Sequence, residues 1–252
     1  MNTGAHVTSL DDGTRILTLS NPAKRNALDP AMCEAMATSI AALASDRGAR
    51  SLIVTGEGEA FCAGADLPAM LDDLDRPVAE IRTSLQNAYA SFLGIRSLTI
   101  PTIAAVTGPA VGAGLNIALS CDIVIASPTA TFGATFSRIG LHPGGGATAF
   151  LVESLGRQRA ARVLLEGRTL SADDALSWGL VESVMEDPLQ DARALAAKVA
   201  LLGPELAQNI KEAVRLATQE PLESVVSFES WAQASSAKGE RAAAAVASFR
   251  KQ

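Results

Sequence analysis

Residues 97–121 carry no charged side chain, and that run narrows what the rest of the chain can become. Such a stretch is long enough to span a bilayer as a helix. It is interrupted, however, by Pro101, Pro109, Gly108, Gly112, Gly114, Asn116 and several Ser and Thr. Breakers at those places divide it into a buried strand, a small-residue corner and a buried helix. So apolar a segment belongs inside a sizeable core, which 252 residues can supply. β-type runs at 51–55, within 98–106, at 121–126 and at 182–184 alternate with helix-forming stretches near 78–95 and 114–119. That alternation implies βα units, parallel pairing and right-handed crossovers.

The flanking segments fit one core. Short β-type runs at 6–10 and 15–20 enclose Asp11, Asp12 and Gly13, a hairpin signal. Asp29 reads as an N-cap with Pro30 at the first helical position, opening a helix to about residue 45. After Gly144 the chain turns helical, at 147–155, 157–165, 171–178, 189–202 and 205–217. Ser171 opens one of these like a capping box. Residues 228–249 are Ala-rich and amphipathic. No repeat or long linker separates these parts, so the expected layout is an α/β core over residues 1–195 and a helical region over 196–252.

Composition excludes several functions. A net charge of −6 gives no electrostatic reason to bind nucleic acid or an anionic membrane. Cys33, Cys62 and Cys121 are odd in number and set in apolar surroundings, which suits a reducing, cytoplasmic compartment. The N-terminus lacks the basic start and apolar stretch of a signal peptide. With His6 and His142 the only histidines and no Cys-x-x-Cys or His-Glu-x-x-His, no metal site is expected. No Gly-x-Ser-x-Gly elbow or phosphate-binding Gly-Lys-Ser/Thr occurs, and Ile117 stands where a dinucleotide fingerprint needs its third glycine.

Two strand-to-helix corners carry the chemistry: residues 61–66 (Phe-Cys-Ala-Gly-Ala-Asp) and 108–116 (Gly-Pro-Ala-Val-Gly-Ala-Gly-Leu-Asn). Small residues there let backbone N–H groups face a ligand with no Cβ in the way. One donor from each corner can hold a single carbonyl oxygen as it gains negative charge. In order and spacing the pair resembles the crotonase (enoyl-CoA hydratase/isomerase) superfamily, over nearly the whole chain.

The resemblance implies an α/β crotonase-like spiral of ββα turns with a C-terminal helical trimerisation region, and a homotrimer or a dimer of trimers. It implies an acyl-CoA substrate, coenzyme A being part of that substrate, with no separate cofactor. It makes Ala65 and Ala113 the oxyanion donors and sets Ala63, Asp66, Leu67 and Gly112 beside them, Asp66 also reading as a helix cap. Lys24 and Arg25, in a loop similar to the family's Asn-Pro…Asn-Ala-Leu segment, would meet the phosphate end of CoA; a solvated turn is the alternative. Phe249, Arg250 and Lys251 would touch the CoA of an adjacent subunit. Asp122, after Cys121, resembles a structural Cys-Asp pair.

The catalytic positions depart from the pattern. Hydratases of this superfamily use two glutamates; here Asn116 and Phe136 occupy those places, and neither can transfer a proton at neutral pH. A related dehalogenase and a dienoyl isomerase use a carboxylate eight residues beyond the second position, which here is Gly144. Nearby stands His142, in a loop resembling the family's Gly-x-x-Pro-Gly-x-Gly-Gly turn, and imidazole suits proton transfer near neutrality. The alternative reading has His142 hydrogen-bonding a loop backbone or facing solvent, and Arg138 reads either as a pocket cation or as a surface ion-pair member. Three readings remain: an acyl-CoA enzyme using the oxyanion hole with His142 or a water, a non-catalytic acyl-CoA binder, and, last, the related fold of a serine protease subunit.

Overall fold

The computed structural model describes residues 3–71 and 73–249. Its elements begin where local chemistry places them. Gly13 takes a φ of 88° and Asp12 Oδ1 accepts from Thr14 N at 2.9 Å, reversing the chain between β1 (Gly4–Ser9) and β2 (Thr14–Ser20), which pair antiparallel. Asp29 accepts from Met32 N at 2.8 Å and Pro30 supplies a preset φ, opening α1 (Pro30–Ser45) as the sequence predicts. Then follow β3 (Ser51–Gly56), α2 (Leu67–Met70) and α3 (Val78–Leu93). The uncharged run resolves into β4 (Thr102–Val106), β5 (Pro109–Val111) and α4 (Ala113–Leu119). Next come β6 (Ile123–Ala126) and β7 (Thr131–Gly133).

The second half is mostly helical, as expected: α5 (Ala147–Glu166), the short β8 (Thr169–Ser171), α6 (Ala172–Trp178), β9 (Ser183–Val184), α7 (Pro188–Ala200), α8 (Pro204–Ala217), α9 (Leu222–Ala237) and α10 (Glu240–Phe249). Ser171 caps α6 by accepting from Asp174 N at 3.1 Å. Two boundaries differ from expectation. The helices expected at 147–155 and 157–165 join across Gly156, whose φ of 73° and ψ of 164° kink the run. The amphipathic stretch at 228–249 is two helices, parted at Lys238 and Gly239. Among the described residues no helix is long and apolar enough to cross a membrane.

Six strands form one sheet in the order β1-β2-β3-β4-β6-β9, parallel except for β1. Side chains alternate between its faces with the strand period. Leu17, Leu19, Leu52, Val54, Ala104, Val106, Val124 and Ala126 enter the main core, while Ile16, Ile53, Ile103 and Ile125 pack under Ala192 and Ala196 of α7. Register aligns Ile16, Ile53 and Ile103 across three strands. Both faces are therefore covered, the usual condition for a parallel sheet. A second sheet, β5-β7-β8, stands apart from the first; its three-residue strands carry no period that a sequence could reveal. Two sheets with trailing helices are the layout that the crotonase-like resemblance implies.

Ile53 is fully buried in the middle of the α7-facing row. Ile53→Ala should lower unfolding free energy by about 2–5 kcal/mol, read from urea denaturation; a loss below about 1 kcal/mol would show that α7 collapses onto the gap.

Candidate active site

The second sheet is continued by chain that is not regular strand. Cys62 N donates to Pro109 O at 3.1 Å and Val111 N donates to Cys62 O at 2.9 Å, bridging Cys62 to Ala110 of β5. On its other side, Leu28 N donates to Gly64 O at 2.7 Å and Asp66 N to Leu28 O at 2.8 Å. The first corner is thereby stitched between residue 28 and the second corner. Gly64, at a φ of 99°, permits this: a β-carbon there would lie 2.8 Å from Val111 O. Likewise a β-carbon on Gly114 would overlap the Cys62 carbonyl. Asn26 locks the arrangement from below, buried and left-handed at a φ of 56°. Its Nδ2 donates to Glu57 O and Ala60 O at 2.9 and 2.8 Å, while Oδ1 accepts from Asn21 N at 2.8 Å.

Most amides in the two corners are engaged. Cys62, Ala63, Asp66, Val111 and Gly112 donate to Pro109, Arg25, Leu28, Cys62 and Gly133 carbonyls respectively. Ala65 N and Ala113 N make no hydrogen bond to any described residue. Ala113 is the first residue of α4, so its N–H is among those a helix leaves unpaired. Ala65 and Ala113 line the same cavity, and Ala113 N lies 3.7 Å from where a Gly64 β-carbon would sit.

That cavity has a volume of about 360 Å³ and is walled mainly by apolar groups, Leu67, Leu85, Phe92, Phe136 and Leu141 among them. Ala63, Gly112, Asn116, His142 and Gly144 also line it, so most of the positions singled out from sequence come together. No described Asp or Glu lines it. Asn116 is 1% exposed; its Nδ2 donates to Gly144 O at 2.8 Å, whereas its Oδ1 has no partner. Phe136 lies beside Gly112, its Cζ 3.9 Å from the place of a β-carbon there. His142 is exposed at the rim with Nδ1 2.8 Å from Pro143 O. If Nδ1 carries the proton for that contact, Nε2 is left as an acceptor.

One wall residue escapes a reading of the sequence. Tyr89, the only tyrosine, lies in α3 with its ring against Gly145 and its hydroxyl in the space a β-carbon on Gly144 would need. Burial pushes its phenol pKa up. In sequence it is hidden in a stripe with Ile81, Leu85 and Phe92 that looks like core; only its hydroxyl sets it apart.

Other candidates sit outside the cavity walls. Lys24 Nζ is 2.7 Å from Asp66 Oδ2, and Asp66 Oδ1 also accepts from Ala69 N as the cap of α2. The Lys24 hydrogen bond holds the Asp66 carboxyl below its ordinary range and raises the lysine. Arg25 is exposed and has no ion-pair partner among the described residues. Asp122 accepts from Thr102 N and Oγ1 and pairs with Lys211 at 2.8 Å, a structural tie. Cys62, fully buried, is pushed up to about 12 by desolvation, which keeps it a thiol. Arg138 is exposed, its stem against Gly167. Phe249 is 74% exposed at the end of α10; Arg250 and Lys251 lie outside the described residues.

A family profile described as enoyl-CoA hydratase/isomerase matches residues 11–250. The chain is 42% identical over 213 residues to the probable enoyl-CoA hydratase EchA14 of Mycobacterium tuberculosis, covering 84% of this chain and 82% of that protein. It is 34% identical over 223 residues to 1,2-epoxyphenylacetyl-CoA isomerase of Escherichia coli, covering 87% and 85%. Among solved structures, an enoyl-CoA hydratase from Polaromonas sp. JS666 superposes with a TM-score of 0.89 at 32% identity, covering 98% of this chain and 97% of that one.

The Lys24–Asp66 pair predicts a pH signature. A depressed carboxyl contributes stability above its ordinary value of 3.8 and loses it as pH falls through the depressed one. A raised ammonium contributes below 10.5 and loses it as pH rises through the raised value. The stability gap between wild type and Lys24→Met should therefore be open at pH 7 and close at both ends. A gap that persists at pH 2 would show that the pair is not its source.

Proposed function

The chain belongs to the enoyl-CoA hydratase/isomerase family of acyl-CoA enzymes, and from that premise we propose that it catalyses an enolate reaction of a thioester, isomerisation foremost, rather than hydration by paired carboxylates. The observation that supports this most is one cavity holding two unengaged backbone donors and no described carboxylate. In this reading the thioester oxygen receives the N–H groups of Ala65 and Ala113. Removal of an α-proton moves an electron pair towards that oxygen, and fixed donors stabilise the charge without reorganising. His142 Nε2 is the base at the rim. Asn116 and Phe136 hold no water-activating carboxylate, which speaks against the two-glutamate route. A hydratase and an isomerase name both occur among the relatives, so the relatives leave room for either outcome.

Arg25 and Lys24 flank the first corner and are the cations placed to receive CoA phosphates, Arg25 the freer of the two. A homotrimer or dimer of trimers is supported by apolar side chains left exposed along α8 and α9: Leu206, Ile210 and Val214, then Val226 and Trp231. Three buried free cysteines suit a reducing, cytoplasmic setting.

The test is incubation with a panel of saturated and unsaturated acyl-CoA thioesters followed by mass and NMR analysis. Measurable affinity with every thioester recovered unchanged would defeat the enzyme reading and leave a carrier of the same fold. Where turnover is seen, Ala113→Pro is an incisive variant. Proline is tolerated at the first helical position, so it leaves the helix intact while replacing the N–H by a ring methylene that faces the thioester oxygen. The kcat should fall about 10²–10³-fold with the melting temperature nearly unchanged. His142→Ala should slow turnover at least about a hundredfold; wild-type rates would remove it from the mechanism.

A further inference from the structure

We propose that the hydroxyl of Tyr89 is the catalytic proton donor of this site, delivering a proton to the acyl chain while the imidazole of His142 removes one. The proposal rests on the enolate reading above and assigns its missing acid.

Four observations place the phenol in that role. Its hydroxyl makes no hydrogen bond to any described residue, and the side chain is partly buried in the cavity wall. Its position is built rather than incidental. A β-carbon on Gly144 would overlap the hydroxyl, and one on Gly145 would lie 2.8 Å from Asn116 Nδ2, 3.0 Å from Phe92 Cζ and 3.3 Å from Tyr89 Cδ1. The two glycines thus vacate the volume that the phenol and the carboxamide fill. Phe92 packs edge-on to the ring, with centroids 6.4 Å apart at 61°, and limits its swing.

The third observation is where the hydroxyl stands. Tyr89, Gly144, Ile81 and Leu85 line both the acyl cavity and an adjoining cavity of about 620 Å³, so the ring lies at their junction. The fourth is protonation: burial raises the phenol pKa, so at neutral pH it holds a proton to give. Among described side chains lining the acyl cavity, Tyr89 and His142 are the two that carry an atom able to give or take a proton in such a transfer.

For a β,γ-unsaturated thioester the steps balance. His142 Nε2 takes an α-proton; the C–H pair moves into the dienolate and its charge onto the oxygen held by Ala65 and Ala113. The Tyr89 O–H bond then breaks, a C–H bond forms at the γ-carbon, and the oxygen's pair restores the carbonyl, leaving an α,β-double bond. Imidazolium and phenolate are reset by one proton passing from His142 to Tyr89 through solvent.

Tyr89→Phe, assayed on full-length protein with 3-hexenoyl-CoA and, in D₂O, with saturated hexanoyl-CoA, separates these roles. Isomerisation should fall at least about a hundredfold in kcat, with KM and melting temperature close to wild type. Deuterium exchange at the α-carbon should persist, because His142 and the two amides suffice for it. His142→Ala should lose both. A Tyr89→Phe variant that isomerises at the wild-type rate, or that loses exchange, isomerisation and affinity together, overturns the assignment. Wild-type protein that binds both thioesters yet neither isomerises nor exchanges them overturns the enolate reading itself, a distinct result that takes the assignment with it.

Discussion

The contact on which the rest depends is main chain against main chain: Cys62 bridged to Ala110, with Gly64 and Gly114 admitting the approach. Backbone hydrogen bonds set the spacing, and each glycine removes the one atom that would prevent it. Cys62, Ala63, Asp66, Val111 and Gly112 spend their amides on this seam, and the N–H groups of Ala65 and Ala113 are among those left without a described partner. The oxyanion site proposed for these two amides is thus the residue of a folding solution as much as an addition to it.

The two-faced sheet makes that seam rigid. Isoleucines on one face lie under α7 and valines, leucines and alanines on the other enter the main core, so β3 and β4 deliver both corners from a layer that cannot slide. Asn26 adds a second restraint by binding the carbonyls of residues 57 and 60 from the N-terminal loop. Donors fixed in this way, at the edge of a mostly apolar cavity, act on a developing charge more strongly than the same donors in water. The net charge of −6 is no obstacle, since the acidic residues are kept off the described cavity walls.

Legibility in the sequence followed the range of the interactions. Asp29 before Pro30, the Asp-Asp-Gly reversal and the capping Ser171 are local signals and lie where expected. The two corners were readable because small residues cluster there for a backbone reason. The second sheet was not, since β5, β7 and β8 are three residues each and are held by partners far along the chain. The Lys24–Asp66 pair spans 42 positions, and no spacing rule connects them. Tyr89 was hidden for a different reason: at helical spacing with Ile81, Leu85 and Phe92 an aromatic looks like core, and only the empty place at Gly144 gives its hydroxyl meaning. The break at Lys238 and Gly239 shows the reverse error, where amphipathic composition alone reads as one uninterrupted helix.

Backbone donors and side-chain acids obey different constraints, and this chain separates them cleanly. An amide N–H survives any substitution except proline, so a site that polarises a carbonyl through main chain keeps that power while its side chains change. Acid and base groups are side chains and change with them: here Asn116 Nδ2 holds the Gly144 carbonyl, and Phe136 presents a ring beside Gly112. Asn116 Oδ1 is buried without a partner, a condition that ordinarily costs about 1–3 kcal/mol. An apolar side chain of the same size would remove that orphan but also strip Gly144 O of its donor, so the carboxamide's hold on the loop is set against the cost of its unpaired oxygen.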